Sequence, residues 1–458
     1  MRLLLALCAL LIGPPAWATP EPVARVTVER NGKAWTASYE ILEGAPVWLF
    51  AESVLPRESK VSWRLGSVRV LTPGIKLRRL GNYDALVAAR GNVPRRVRLS
   101  FTPFTRDIEA GYDAALAFTD GSVALYADQF KLVPIRSVAA ARRIPPDNAN
   151  LPAVAHPTLM TFADRAGPVL VHGKREARPT LSDGQAYVLF GKANPAIGEA
   201  MTTIIDPALP RWIADDLNHE MPKILGRYRD ELGPSPVGQP TLLVSWAGPK
   251  PETISLGGSV LPGMVVMTLE GDALLKPNAK ASQYGRWFIS HEAAHFWLGQ
   301  AVHYSTPAES WITEGGAELL AFRATAATDP SFDIKARLSE AKAECTPFLA
   351  NGGIADAYQR EGDFRAYYAC GAMLALAAEK ASRGDFADFV RTLINRSAGD
   401  QTVTRREWLA LLEERAPGGK LSAAVRNLLD KRQADPAAAL DAFIATADIA
   451  DEFKAPEQ

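Results

Sequence analysis

Near residue 194 the spacing of apolar residues changes from two to about 3.6, so the chain must fold into two unlike halves. Before that point Val61, Trp63 and Leu65 alternate with polar residues. So do Val97, Leu99 and Phe101, and then Val123 and Leu125. Asn31-Gly32, Pro73-Gly74, Arg90-Gly91 and Asp120-Gly121 punctuate these runs as turns. Short strands with frequent turns predict antiparallel sheet, arranged as a sandwich or saddle. After that point residues 210–232 read as a helix that buries Trp212, Leu217, Leu225, Tyr228 and Leu232, with Pro222 as a kink. Residues 242–244 and 263–269 read as two short apolar strands, and 287–299 as a helix ending at glycine. Thr306-Pro307-Ala308-Glu309 has the pattern of a capping box with proline at the first helical position. Thr404 to Glu407 is a second box, and nearly everything from 306 to 449 reads as helix. The fold class expected is α+β, an N-terminal antiparallel β domain followed by a mostly helical half. At 458 residues the chain exceeds one core. The expected divisions are a leader at 1–18, a β-rich domain at 19–193, a catalytic domain at 194–330 and its helical continuation at 331–458.

The leader is read from Met1-Arg2, an apolar run over 3–12, a break at Gly13-Pro14-Pro15, and Ala16-Trp17-Ala18. That is the pattern of a Sec-type signal peptide cleaved after Ala18, which predicts an exported protein, periplasmic or secreted. The run is about half the length a membrane span needs, and no later segment is long and apolar enough, so no membrane span is expected after cleavage. Lys+Arg and Asp+Glu are both 51, and a net charge of zero offers nothing to nucleic acid. Cys345 and Cys370 remain after the leader. An exported chain permits one disulfide between them, and two buried thiols in helices fit equally well.

The chemistry is concentrated at Ile289-Ser290-His291-Glu292-Ala293-Ala294-His295, which contains HExxH. On a helix, positions four apart share a face, so both imidazoles can hold one Zn2+ ion while Glu292 stands beside them as general base. A catalytic zinc site needs a third protein ligand and one open position. Glu314, in Trp311-Ile312-Thr313-Glu314-Gly315, follows His295 by 19 residues and falls early in the next helix. Glu318, one turn on, is placed to accept a hydrogen bond from a ligand imidazole. A charged helix face with two solvated histidines would not be flanked by Trp287, Phe288, Ile289, Phe296, Trp297 and Leu298. His156, His172, His219 and His303 read as surface or structural residues, with His303 the nearest to the motif.

The segment 291–322 resembles the gluzincin metallopeptidases, and within them the aminopeptidase N family. That family's pattern is HExxH, eighteen residues, then Glu, with the tryptophan and glycine seen here at Trp297 and Gly299 and a Trp-x-x-Glu-Gly-x-Ala segment seen at 311–317. The resemblance implies an N-terminal sheet domain ahead of a thermolysin-like catalytic domain, and a peptide or protein substrate. It also implies a tyrosine that stabilises the transition state. Tyr368-Ala369-Cys370-Gly371 resembles the segment that carries it, with cysteine where the family usually has lysine and with Tyr367 as a rival. The family has a Gly-x-Met-Glu-Asn segment whose glutamate grips a free amine; the nearest segment here is 257–263, and Val260 stands in the glutamate's place. The expected activity is zinc-dependent hydrolysis of peptide bonds, with Glu292 and Tyr368 as catalytic residues and His291, His295 and Glu314 as ligands. Two alternatives stay open: an aminopeptidase with an atypical amine-binding site, and a non-catalytic zinc-stabilised peptide-binding module.

Overall fold

The computed structural model describes residues 21–453, except 110, 147, 154–156 and 361. The leader read at 1–18 and His156 therefore lie outside the described residues. The chain forms two compact units. The first takes the residues up to Gly111 together with Ala127–Ala166 and Ala177–Gly184. The second takes Tyr112–Tyr126, Gly167–Glu176 and everything from Gln185. The boundary expected at 193/194 falls inside the second unit. Periodicity marks where strands give way to helices, and strands inside 112–126 and 167–190 pair within the second unit.

The first unit holds two sheets. One has six strands in the order Thr180–Leu181, Leu159–Asp164, Ala24–Asn31, Ala34–Ile41, Arg96–Phe101 and Val68–Val70. Ala24–Asn31 and Leu159–Asp164 run parallel and the other pairs antiparallel. The other sheet has four antiparallel strands, Leu132–Ile135, Val47–Phe50, Tyr83–Ala88 and Ile75–Leu80. Strand Ala34–Ile41 alternates strictly between buried and less buried positions, as one covered face requires. The alternation at Val61, Trp63 and Leu65 does not become a strand. Residues Trp63–Ser67 form helix α1, because the Ser62 hydroxyl accepts from the Leu65 amide and opens a helical turn. A second short helix, α2, spans Val138–Ala141.

The second unit contains a five-stranded antiparallel sheet, Lys174–Glu176, Val169–Val171, Tyr187–Phe190, Val123–Tyr126 and Ala115–Ala117. A second five-stranded sheet runs Ala196–Ile197, Thr202–Ile205, Thr241–Gly248, Met264–Glu270 and Ser255–Leu261. Thr202–Ile205, Thr241–Gly248 and Met264–Glu270 are mutually parallel, and Ser255–Leu261 is the antiparallel outer strand. One apolar core joins the two sheets, with Leu116, Tyr126, Leu170 and Leu189 from the first against Leu243 and Val266 from the second.

Nine helices complete the second unit among the described residues. α3 (Arg211–Leu232) continues through Pro222, and α4 (Ala279–Ala294) opens on Asn278, whose side chain accepts from the Ala281 amide. α5 (Ser310–Thr328) follows a short 3-10 turn that carries the Thr306–Glu309 capping box. α6 (Ile334–Asn351), α7 (Ala366–Ala381), α8 (Phe386–Arg396), α9 (Arg405–Arg415), α10 (Lys420–Asp430) and α11 (Pro436–Ala447) come next. Aspartates 333, 385 and 435 cap three of these helices by accepting a backbone amide. No helix among the described residues is long and apolar enough to cross a membrane.

Cys345 of α6 and Cys370 of α7 are bonded as a disulfide and fully buried. The bridge joins residues 25 apart. In the chain-entropy account a loop of that length is worth about 3 kcal/mol. Replacing both cysteines with alanine is expected to lower the free energy of unfolding by that amount, seen as a lower urea midpoint. An unchanged midpoint would show that the bridge adds no stability.

Candidate metal centre

α4 and α5 pack side by side and carry the charged side chains of the centre. His291 and His295 lie one turn apart at the end of α4, and Glu314 and Glu318 lie one turn apart near the start of α5. The helix end is braced from α3. Tyr228 donates to the Ser290 carbonyl at 3.0 Å, and the Trp297 indole donates to the Gly233 carbonyl at 3.0 Å. The two rings meet edge to face at 5.8 Å.

The two imidazole Nε2 atoms are 3.1 Å apart, and each is 3.4 Å from Glu314 Oε2. The Nδ1 atom of His291 donates to Glu318 at 3.0 Å and that of His295 to the Leu298 carbonyl at 2.8 Å. With Nδ1 protonated, each Nε2 is an acceptor. When both rings are neutral, three buried acceptors converge with no donor among them, and Glu314 Oε2 has no hydrogen-bond donor. Such an arrangement is costly unless a cation lies within it. Tetrahedral ligands at about 2.0–2.1 Å from an ion stand about 3.3–3.4 Å from one another, and these three atoms meet that spacing closely. Two imidazoles and one carboxylate suit zinc.

The same charges govern the titration of the site. Burial acts to lower the His291 pKa, but its contacts with the carboxylates of Glu314 and Glu318 outweigh it and raise it to about 10, so an ion that binds Nε2 must displace a proton from it. Burial would raise Glu314, yet the neighbouring imidazoles hold it far below the usual carboxylate range. Glu292 is buried beside His291 and His295. Burial raises its pKa, and the two histidines act in the opposite direction. Glu318 is expected to fix the ring of His291, so Glu318→Gln should weaken zinc binding about 10–100-fold in a chelator competition. An affinity within twofold of the parent would remove that role.

α7 brings the aromatic residue. Tyr368 stacks on His291 with ring centroids 5.4 Å apart and 20° between planes. Burial first, then the charges of Glu314 and Glu292, raise its pKa far above the ordinary phenol value. Tyr367 points elsewhere. Its hydroxyl donates to the Ala355 carbonyl at 3.1 Å and accepts from the Tyr358 amide at 3.0 Å. Tyr368 owes its place to a close helix crossing that sequence reasoning missed. A Cβ built on Gly315 would lie 2.2 Å from backbone of Gly371, and one built on Gly371 would lie 2.8 Å from Gly315 and 2.9 Å from the Trp311 carbonyl. Two glycines separated by a helix and several loops give no local signal of meeting.

The other described histidines, His172, His219 and His303, stand apart from the cluster. His303 is exposed on the short strand His303–Tyr304, and His219 is an exposed neighbour of Glu220. His172 occupies a turn with positive φ. Val260 lies on the outer strand Ser255–Leu261, so that strand carries no carboxylate where an amine-gripping glutamate would stand.

Among solved structures the chain is similar to an aminopeptidase N family protein from Idiomarina loihiensis, with a TM-score of 0.61 and 13% identity over 90% of this chain and 76% of that one. It is also similar to native leukotriene A4 hydrolase from Saccharomyces cerevisiae, with a TM-score of 0.51 and 15% identity over 91% and 68% of the two chains. The yeast enzyme in complex with bestatin gives a TM-score of 0.52 at 14% identity over 92% and 71%. No family model matches the chain, and no curated protein matches it in sequence. At these identities the likeness establishes the fold, which is aminopeptidase N-like: N-terminal sheets followed by a mostly helical half.

Proposed function

We propose that this chain, built on an aminopeptidase N-like fold, is an exported zinc-dependent peptidase. The observation that carries the reading is the convergence of three buried acceptors from His291, His295 and Glu314 on one point. When bound there, zinc supplies the Lewis acidity that makes water a competent nucleophile at neutral pH. The Glu292 carboxylate takes the proton of the attacking water and returns it to the leaving nitrogen. Its burial supports this role, because a raised pKa brings a carboxylate nearer the operating pH. The Tyr368 hydroxyl donates to the oxygen on which negative charge develops. A phenol with so high a pKa keeps its proton at neutral pH, as a donor must. The outer strand Ser255–Leu261 takes an extended peptide by backbone pairing. Export is supported by the leader pattern at 1–18 and by the buried Cys345–Cys370 disulfide, a bond that persists in oxidising compartments. Val260 in place of an amine-gripping carboxylate favours recognition that does not depend on a free N-terminus.

The test is a cleavage profile on a mixed peptide library, half of it acetylated at the N-terminus, with the parent beside Glu292→Gln. Cleavage that disappears in the variant is the expected result, and the acetylated half then separates endopeptidase from aminopeptidase. Failure of zinc-loaded protein to cut any peptide would favour a zinc-stabilised binding module instead.

A further inference from the structure

The net charge of zero conceals a division. From residue 21 on, the segments of the first unit hold 21 Lys and Arg against 13 Asp and Glu, and the second unit holds 29 against 38. A neutral chain with one basic unit can still be drawn to an anionic surface through that unit.

Unpaired cations of the first unit gather at one edge of its six-stranded sheet. The outermost strand there is Val68–Val70, which pairs antiparallel with Arg96–Phe101. Arg69 lies opposite Ser100, and one step further the Leu71 amide donates to the Arg98 carbonyl at 2.8 Å. Side chains alternate along a strand, so Arg69, Leu71, Arg96 and Arg98 stand on one face while Val97 and Leu99 are buried on the other. All four are exposed, Leu71 by 46%. Among the described residues none of the three arginines has a carboxylate partner. The carboxylates nearby are engaged: Glu40, across from Arg96, by Arg25 and Arg95, Asp107 by Arg57, and Glu109 by Lys60.

The aliphatic part of the surface extends along the chain from Leu71. α1 runs straight into the edge strand, and the Thr102 amide donates to the carbonyl of Ser67, its last residue, at 3.0 Å. Trp63 stacks on Phe104 with centroids 5.4 Å apart. Arg64 is buried and donates to the Gln129 carbonyl at 2.9 Å. These two side chains fix α1, and Val61 and Leu65 are left in solvent, exposed by 62% and 44%.

We propose that this edge of the first unit docks on an anionic lipid bilayer. Arg69, Arg96 and Arg98 meet the headgroups, and Val61, Leu65 and Leu71 enter the boundary beneath them. Cations beside exposed aliphatic side chains are the combination that peripheral binding requires, since a few of either alone hold a protein weakly. A soluble polyanion would use the arginines and leave the three aliphatic side chains in water. The proposal is independent of the peptidase reading, because no residue of the metal centre takes part.

The test is co-sedimentation of the otherwise full chain with vesicles. The leader read at 1–18 is removed first, since an apolar leader would itself bind lipid. Vesicles with about one third phosphatidylglycerol in phosphatidylcholine are expected to bind it about tenfold more tightly than phosphatidylcholine alone, and less so as salt rises. Arg69→Gln and Arg98→Gln should each weaken that binding about fivefold, and Leu71→Ser about threefold. Leu65→Ser gives a second aliphatic variant should Leu71→Ser not fold. Arg229→Gln, at an exposed position of α3 in the other unit, should change nothing. No binding at low salt, equal binding to both kinds of vesicle, or binding that these variants leave unchanged overturns the proposal. So does pelleting without vesicles, which would show association between copies. Polyphosphate is the probe for the remaining case: if it competes fully and neither serine variant weakens vesicle binding, the surface takes polyanions and not a bilayer.

Discussion

Glu292→Gln is expected to lower kcat by about a thousandfold while zinc stays bound. The amide matches the carboxylate in size and keeps α4 intact, but it cannot accept the proton of the attacking water. Such a loss corresponds to about 4 kcal/mol of transition-state stabilisation. Zinc should stay because the three converging atoms belong to His291, His295 and Glu314, and Glu292 supplies none of them. KM should change little, since the base acts on water and not on the bound peptide. Metal analysis and kinetics on one preparation decide the matter. A variant that keeps a tenth or more of the parent's turnover would sink the assignment, and one that loses its metal would place Glu292 among the ligands.

Gly371→Ala is expected to cost about 3 kcal/mol or more, against a gain of about 1 kcal/mol that alanine normally brings to a helix interior. The sign is decided by what the new methyl would meet. At Gly371 it faces Gly315 Cα at 2.8 Å and the Trp311 carbonyl at 2.9 Å, which are backbone atoms that cannot rotate away. α5 and α7 would have to part, and Tyr368 would move off His291 with them. Gly316→Ala is the control. There the methyl would meet Leu298 Cδ1 at 2.6 Å, the end of a side chain that can change rotamer. Urea unfolding of the two variants should show Gly371→Ala much the weaker. Equal stabilities would mean that the crossing has slack and does not position the tyrosine.

The helix pattern and the ligand spacing were open to reading from the chain because both are local. His291 and His295 share a face at any helical i, i+4 spacing, and Thr306 with Glu309 marks the entry to α5 within four residues. The class of the fold followed from the change of period near 194. Short alternating stretches were less reliable: Val61, Trp63 and Leu65 span only five positions, and Ser62 diverted them into a helical turn. The choice between Tyr367 and Tyr368 could not be made from adjacent identical residues, because it depends on the face of α7 that meets α5. The hydrogen bond from the Tyr112 hydroxyl to the Val260 carbonyl was beyond reach altogether. The two lie 148 residues apart, and nothing in the stretch around Tyr112 marks it as bonded to Val260.

The interleaving of the two units bears on the order in which this chain can fold as it is made. The first unit is incomplete until Gly184 has been synthesised, because Ala177–Gly184 belongs to it. Strands of the second unit at 115–117, 123–126, 169–171 and 187–190 emerge before the sheet and helices they must cover. Leu116, Tyr126, Leu170 and Leu189 then stay exposed until Leu243 and Val266 arrive to bury them. During that interval the nascent chain displays apolar strand edges of the kind that invite aggregation. A chain beginning at residue 194 would lack those strands, leaving part of its core uncovered.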